Sequence, residues 1–203
     1  MQQSPGNAGL GQWEGHTNTF DTFVWEAAPS LDRALFEDLA TCDYIRQGRN
    51  LIFCGPPACG KTHLSGALAV IATRLGHSVI LADSSRFSSN HFCLSSPDQE
   101  LVDCDLLMID DADRTDMLGE TLALRRRRST MLITTIPAAE LMAKLLPDDR
   151  DYLPLRDTWA RPIVVEFKEN AYYRRFRLRG DDRGCDRNRG FITALVQDEV
   201  FRP

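Results

Sequence analysis

Gly55-Pro56-Pro57-Ala58-Cys59-Gly60-Lys61-Thr62 is the stretch on which the reading of this chain turns. It fits the pattern G-x-x-x-x-G-K-[ST], and its flanks suit the motif. Asn50 to Cys54 (NLIFC) is a short apolar run of the kind a buried strand shows. His63 to Arg74 (HLSGALAVIATR) is rich in Ala and Leu and carries helical periodicity. In a strand, glycine loop and helix of this kind, successive N–H groups curl into an anion nest at a helix N-terminus. Lys61 is then expected to reach the β- and γ-phosphates of a nucleoside triphosphate, and the Thr62 hydroxyl to ligate Mg²⁺. Gly55 to His63 are the expected nucleotide contacts. The alternative is a chance glycine turn before a helix.

A second half-site lies downstream. Leu106-Leu107-Met108-Ile109 reads as a buried strand ending in Asp110-Asp111, at the sheet edge where α/β ligands bind. Asp110 is expected to hold Mg²⁺, directly or through water. Asp111 stands where many ATPases carry a Glu that polarises the attacking water. Asp is one methylene shorter, which predicts slow turnover; the other reading is an acidic turn after a strand.

Thr134-Thr135, closing a strand over 130–135, are either γ-phosphate sensors or threonines chosen for β-propensity. Arg125 to Arg128 form either a solvated charge run or a contact for nucleic acid or a second subunit. Arg156 and Arg161, near the fifth strand, are candidates for a finger reaching a neighbouring copy's nucleotide, or for surface salt bridges.

The rest of the chain bounds this reading. Its 203 residues suit one domain with a sizeable core. No apolar run approaches a membrane span. The first eighteen residues lack the basic and apolar regions of a signal peptide and read as a flexible tail. The net charge of −5 speaks against nonspecific stickiness to nucleic acid, yet seven arginines against three aspartates lie between Tyr172 and Gly190. Six cysteines without a C-x-x-C suit reduced thiols and no zinc. Cys59 is either a small loop residue or a thiol acidified by Lys61 and the helix N-terminus.

Thr19 to Trp25 is aromatic and β-prone, and a helix capped by Ser30 is expected to run to Gly48. Further strands are expected over 78–82 and 163–167, a Ser-rich connection over 83–103 with a short helix at 99–102, and helices over about 116–125 and 137–146. An acidic link is expected over 147–157, and a short final helix over 191–200. Tyr172 to Arg179 is ambiguous, with an edge strand among its readings. Five apolar strands separated by helices imply a parallel sheet covered on both faces. The expected organisation is a tail (1–18), one nucleotide-binding domain (19–179) and a C-terminal extension (180–203).

These residues together resemble the AAA+ ATPases of the IstB, DnaC and DnaA group, and most of all the IstB-like ATP-binding proteins. The likeness covers roughly Phe20 to Arg179. Its most specific part is the PSLDR-to-LATCDYI helix leading into GPPACGKTHL, followed by LLMIDDAD, RRRRSTMLITTIP and VVEFKENAYYRRFRLR. The resemblance implies an α/β P-loop fold of AAA+ type, a three-layer sandwich on a five-stranded parallel sheet, here without a lid domain. It also implies a cytoplasmic ATP hydrolase using Mg²⁺, assembling with ATP as a homo-oligomer that acts on DNA for a transposase or helicase, with no membrane role. By position, Lys61 and Thr62 bind phosphate and Mg²⁺, Asp110 and Asp111 serve Walker B, and Thr135 takes the sensor place.

The chain departs from the group in several places. Thr135 replaces the usual Asn, the 86–105 stretch is short for an extra DNA-handling helix, and the usual N-terminal helical domain is replaced by the tail. Two other classes compete. One is a nucleotide-dependent adaptor with negligible hydrolysis that recruits a protein; the other is a small-molecule P-loop kinase.

Overall fold

The computed structural model of the chain describes residues 18–83, 99–114, 118–125, 127–146 and 157–168. Its centre is one parallel sheet of β1 (Leu51–Cys54), β2 (Val79–Asp83), β3 (Leu106–Asp110), β4 (Ser129–Thr134) and β5 (Ile163–Glu166), in the order β2-β3-β4-β1-β5. The apolar runs NLIFC, LLMI and STMLIT form the inner strands because both of their faces are covered. All four residues of β1 and all six of β4 are buried.

Alternate side chains point to opposite faces of the sheet, so each strand feeds two cores. On one face Leu51 and Phe53 pack with Phe36 of α1 (Arg33–Leu39), with Tyr44 and Ile45 of α2 (Asp43–Arg46), and with Leu64 and Leu68 of α3 (Lys61–Arg74). On the other, Ile52 and Cys54 pack with Leu101 of α4 (Gln99–Asp103), Leu122 of α5 (Leu118–Leu124) and Leu141 of α6 (Ala138–Leu145). The result is the expected three-layer P-loop sandwich. With β2, β3 and β4 on one side of β1 and β5 on the other, strand order reverses at β1, and the crevice at such a point binds ligands in open α/β sheets.

Several local expectations are corrected. Thr19 to Trp25 is not a strand: it turns and enters a 3-10 helix at Trp25–Ala27. Its rings pack edge-to-face instead, Phe20 and Trp25 onto Phe36, and Phe23 onto His63. The single helix expected from Ser30 to Gly48 is two. Asp32 caps the first by accepting from the Ala34 N–H at 3.0 Å, and Cys42, with φ of 58°, breaks the chain before α2. That break turns Tyr44 and Ile45 inward. The phosphate-loop helix begins at Lys61 rather than His63, and β4 stops at Thr134, leaving Thr135 exposed in a bend.

The expectations for 1–17, the Ser-rich connection, Arg126, most of the acidic link, Arg156 and all residues beyond 168 lie outside the described residues. So do the limits of the tail and extension and the question of a lid. Among the described residues no helix is long and apolar enough to cross a membrane.

Candidate nucleotide site

The loop leaving β1 is shaped by its neighbours as much as by its own sequence. The Gly55 N–H donates to the Thr134 carbonyl at 3.3 Å, and the Phe167 N–H donates to the Cys54 carbonyl at 2.8 Å. Gly55 has φ of 148°, and a Cβ there would stand 2.3 Å from the Phe167 carbonyl oxygen, so no larger residue fits. Ala58 and Gly60 also have positive φ, 58° and 100°, and Gly60 caps α3. The first four N–H groups of a helix have no intrahelical partner, so the end of this curl offers donors and the positive end of the helix dipole.

Lys61 is 7% exposed, and its ammonium donates to the Gly55 and Pro56 carbonyls at 2.7 and 2.8 Å, with Cys59 Sγ at 3.7 Å. Among the described residues no carboxylate forms an ion pair with it. A buried cation beside the positive end of a helix, held only by neutral groups, fits an anionic ligand such as a polyphosphate. Thr62, exposed on the first turn of α3, and Asp110, half-buried at the end of β3, offer the hard oxygen donors that Mg²⁺ takes.

Two loop-side residues behave differently from expectation. Burial pushes the Cys59 thiol up, outweighing the pull of Lys61, so this is not an acidified thiol. His63 faces the 19–23 segment: its Nε2 donates to the Thr19 carbonyl at 3.0 Å, with Thr22 Oγ1 at 3.2 Å. Burial lowers its pKa against the opposing effect of that hydrogen bond, so the ring is neutral near pH 7.

At the same sheet edge, Asp111 sits at φ of 51° with its N–H donating to Asp110 Oδ1 at 2.9 Å. This left-handed turn, which Asp tolerates better than most residues, swings the chain into a 3-10 helix at Ala112–Arg114. It delivers a third carboxylate, Asp113, to the end of β4. Asp113 Oδ1 accepts from the Thr134 hydroxyl at 2.9 Å and the Thr135 N–H at 3.3 Å, and Oδ2 accepts from the Thr135 hydroxyl at 3.2 Å. Partial burial pushes this carboxyl up, but the threonine hydrogen bonds outweigh it and hold it below the usual carboxylate range. Sequence reasoning missed Asp113. The signal was the third acid of LLMIDDAD and the paired threonines, which only the β3–β4 pairing connects.

The arginines separate into different roles. Arg125 is 1% exposed and is no surface charge: it binds carbonyls of Leu101, Val102, Cys104 and Ser129, which corrects its reading as part of a solvated run or a partner contact. Arg128 pairs with Asp103 and Asp105, while Arg127 is exposed. Arg161 is exposed just before β5, near the start of β1. The loop lies at the other end of β1, four residues or about 13 Å away along the strand, so Arg161 is not brought to this chain's own loop.

The chain was then compared with known proteins. The family model for IstB-like ATP binding protein matches residues 10–140. A protein named as an insertion-sequence ATP-binding protein in Sinorhizobium fredii is 25% identical over 77% of this chain and 58% of its own length. The insertion sequence IS21 ATP-binding protein of Pseudomonas aeruginosa is 39% identical over 30% of this chain and 23% of its own. The chain thus spans between a quarter and somewhat over half the length of the curated relatives it matches first.

Among solved structures, AMPPCP-bound DnaA from Aquifex aeolicus superposes with a TM-score of 0.57 at 15% identity, covering 91% of this chain and 61% of that one. The DnaC helicase loader gives 0.51 at 17%, covering 66% and 87%. At such identities these likenesses concern the fold, which is that of the AAA+ P-loop proteins. With the family match extending over more than half its length, the chain belongs to the IstB-like ATP binding protein family.

Proposed function

We propose that this protein binds ATP with Mg²⁺ at the loop of residues 55–63 and works as an AAA+ helper to a DNA-processing partner. The observation that carries the reading is the buried Lys61 ammonium, set at the N-terminus of α3 with only carbonyl and thiol partners. Lys61 would exchange the Gly55 and Pro56 carbonyls for phosphate oxygens, while Thr62 and Asp110 would hold Mg²⁺. The bound metal would neutralise phosphate charge. Asp111 would orient the attacking water, and its short reach predicts slow hydrolysis. Arg161, remote from its own loop, would serve only across an interface with a second copy; Arg156 is the rival for that role.

Action on DNA and assembly with ATP are supported by kinship. The relatives are named for insertion sequences, and one solved neighbour is a DnaA bound to AMPPCP and single-stranded DNA. A transposase or a helicase is the partner that kinship suggests. A second reading, an ATP-bound adaptor with negligible turnover, is favoured by the engagement of the Thr135 hydroxyl with Asp113.

The test combines sizing of the protein with and without ATP and DNA with phosphate release in each condition. ATP-dependent assembly with release that falls in Asp111→Asn supports the helper. Assembly without release above buffer supports the adaptor, and no response to ATP in either measurement defeats both.

A further inference from the structure

Resting on the nucleotide site proposed above, a finer inference follows from counting protons at the end of β4. A threonine hydroxyl has one proton to donate and two lone pairs to accept with. The Thr135 hydroxyl donates its proton to Asp113 Oδ2, and the Thr135 backbone N–H is also turned to Asp113, at Oδ1. The neighbouring Thr134 hydroxyl donates to Asp113 Oδ1 as well. Three donors at this strand end are therefore directed at one carboxylate.

The strand end is also next to the loop, since the Gly55 N–H is bonded to the Thr134 carbonyl. An anionic phosphate needs donors. A hydroxyl whose proton is committed to a carboxylate shows a phosphate only lone pairs, which repel it.

We propose that Asp113 is a specificity-determining, positioning residue: by holding the one hydroxyl proton of Thr135 it withholds this side chain from the γ-phosphate. The site then distinguishes ATP poorly from ADP at its sensor position. Asparagine at 135 would differ in kind, because its amide carries two N–H donors, enough for Asp113 and a phosphate together. The geometry holds the sensor in a muted state that Asp113 maintains. A purely structural Asp113 would only brace the turn between β3 and β4.

The experiment titrates the full chain with ADP and with a non-hydrolysable ATP analogue at fixed Mg²⁺ by calorimetry, and reads the ratio of the two dissociation constants. Thr135→Asn alters an exposed residue outside the strand and keeps the bond to Asp113. Asp113→Ala frees the hydroxyl. Each is expected to shift the ratio toward the triphosphate by roughly tenfold relative to wild type, the usual size of a hydrogen bond to a charged group. A bracing role alone predicts an unchanged or reduced ratio. Either variant binding both nucleotides with the wild-type ratio or a lower one overturns the proposal while leaving the nucleotide site intact. Failure of the wild type to bind either nucleotide overturns the site itself, and this inference with it.

Discussion

Two cations are buried in this protein without a carboxylate bound to them, and they sit at opposite ends of the sheet. Arg125 lies at the ends where β3 and β4 begin. Its Nε donates to Thr130 Oγ1 at 3.1 Å, one terminal nitrogen to the Ser129 carbonyl at 2.7 Å, and the other to carbonyls of Leu101, Val102 and Cys104. Those partners come from the close of α4 and the start of β4, so the planar fork staples two elements that meet nowhere else in sequence. Lys61 lies where the strands end, and both of its carbonyl partners belong to the loop that precedes it.

The contrast is one of sign. Arg125 meets carbonyls left over at the end of a helix, where a positive charge belongs. Lys61 sits beside helix N–H groups, where it does not. A buried cation that completes a set of acceptors is part of the frame; one placed against donors is poised for an anion.

The largest expected effect breaks the frame. Arg125→Ala strands several buried acceptors and should destabilise the fold by about 3 kcal/mol or more, read from the urea midpoint at an unchanged slope. Arg125→Lys, with three donors in place of the fork's five, should recover only part of that. Wild-type stability in both variants would remove the distinction drawn here.

Lys61→Ala should do the reverse, leaving the midpoint nearly in place while weakening ATP binding by ~1.5–3 kcal/mol, roughly tenfold or more. A large loss of stability without loss of affinity would make Lys61 another staple.

The smallest effect concerns His63, whose folded pKa is lowered from 6.5 by burial. Its neutral form is the one that folds, so its contribution is fully present above pH 6.5 and fades as pH falls below that value. Thermal midpoints at pH 7.5 and 5.5 should differ more in the wild type than in His63→Gln. Equal differences would mean that the 19–23 segment does not depend on the charge state of this ring.

The same contrast explains what could be read without coordinates. The strand–loop–helix around Gly55 and the run LLMIDD carry local signals, since apolar runs, glycines and a terminal acid are each written in neighbouring residues. The likeness to the IstB group extended that reading to the whole sheet. Arg125 misled because four consecutive arginines read as solvent-facing charge, whereas its burial depends on where a turn places one of the four. Asp113 was invisible because its partners are 21 and 22 residues away and meet it only through strand register. The break at Cys42 was missed because Leu39 and Ile45 keep a helical spacing across it. What escaped the sequence was everything that depends on two distant segments arriving at one point.

The closeness of Phe167 to Gly55 carries a consequence for the order in which the protein acquires its properties. The phosphate loop takes its shape from the Thr134 carbonyl and from the Phe167 backbone seated over Gly55, contacts made by late parts of the chain. Gly55 and Phe167 are about 110 residues apart. A ribosome adding ~5–20 residues per second needs roughly 6 to 20 s to cover that interval. During that time the motif has been synthesised but lacks the wall that defines it. A nascent chain is therefore blind to nucleotide until its fifth strand has emerged, and an incomplete copy released early would have no finished site with which to compete for ATP.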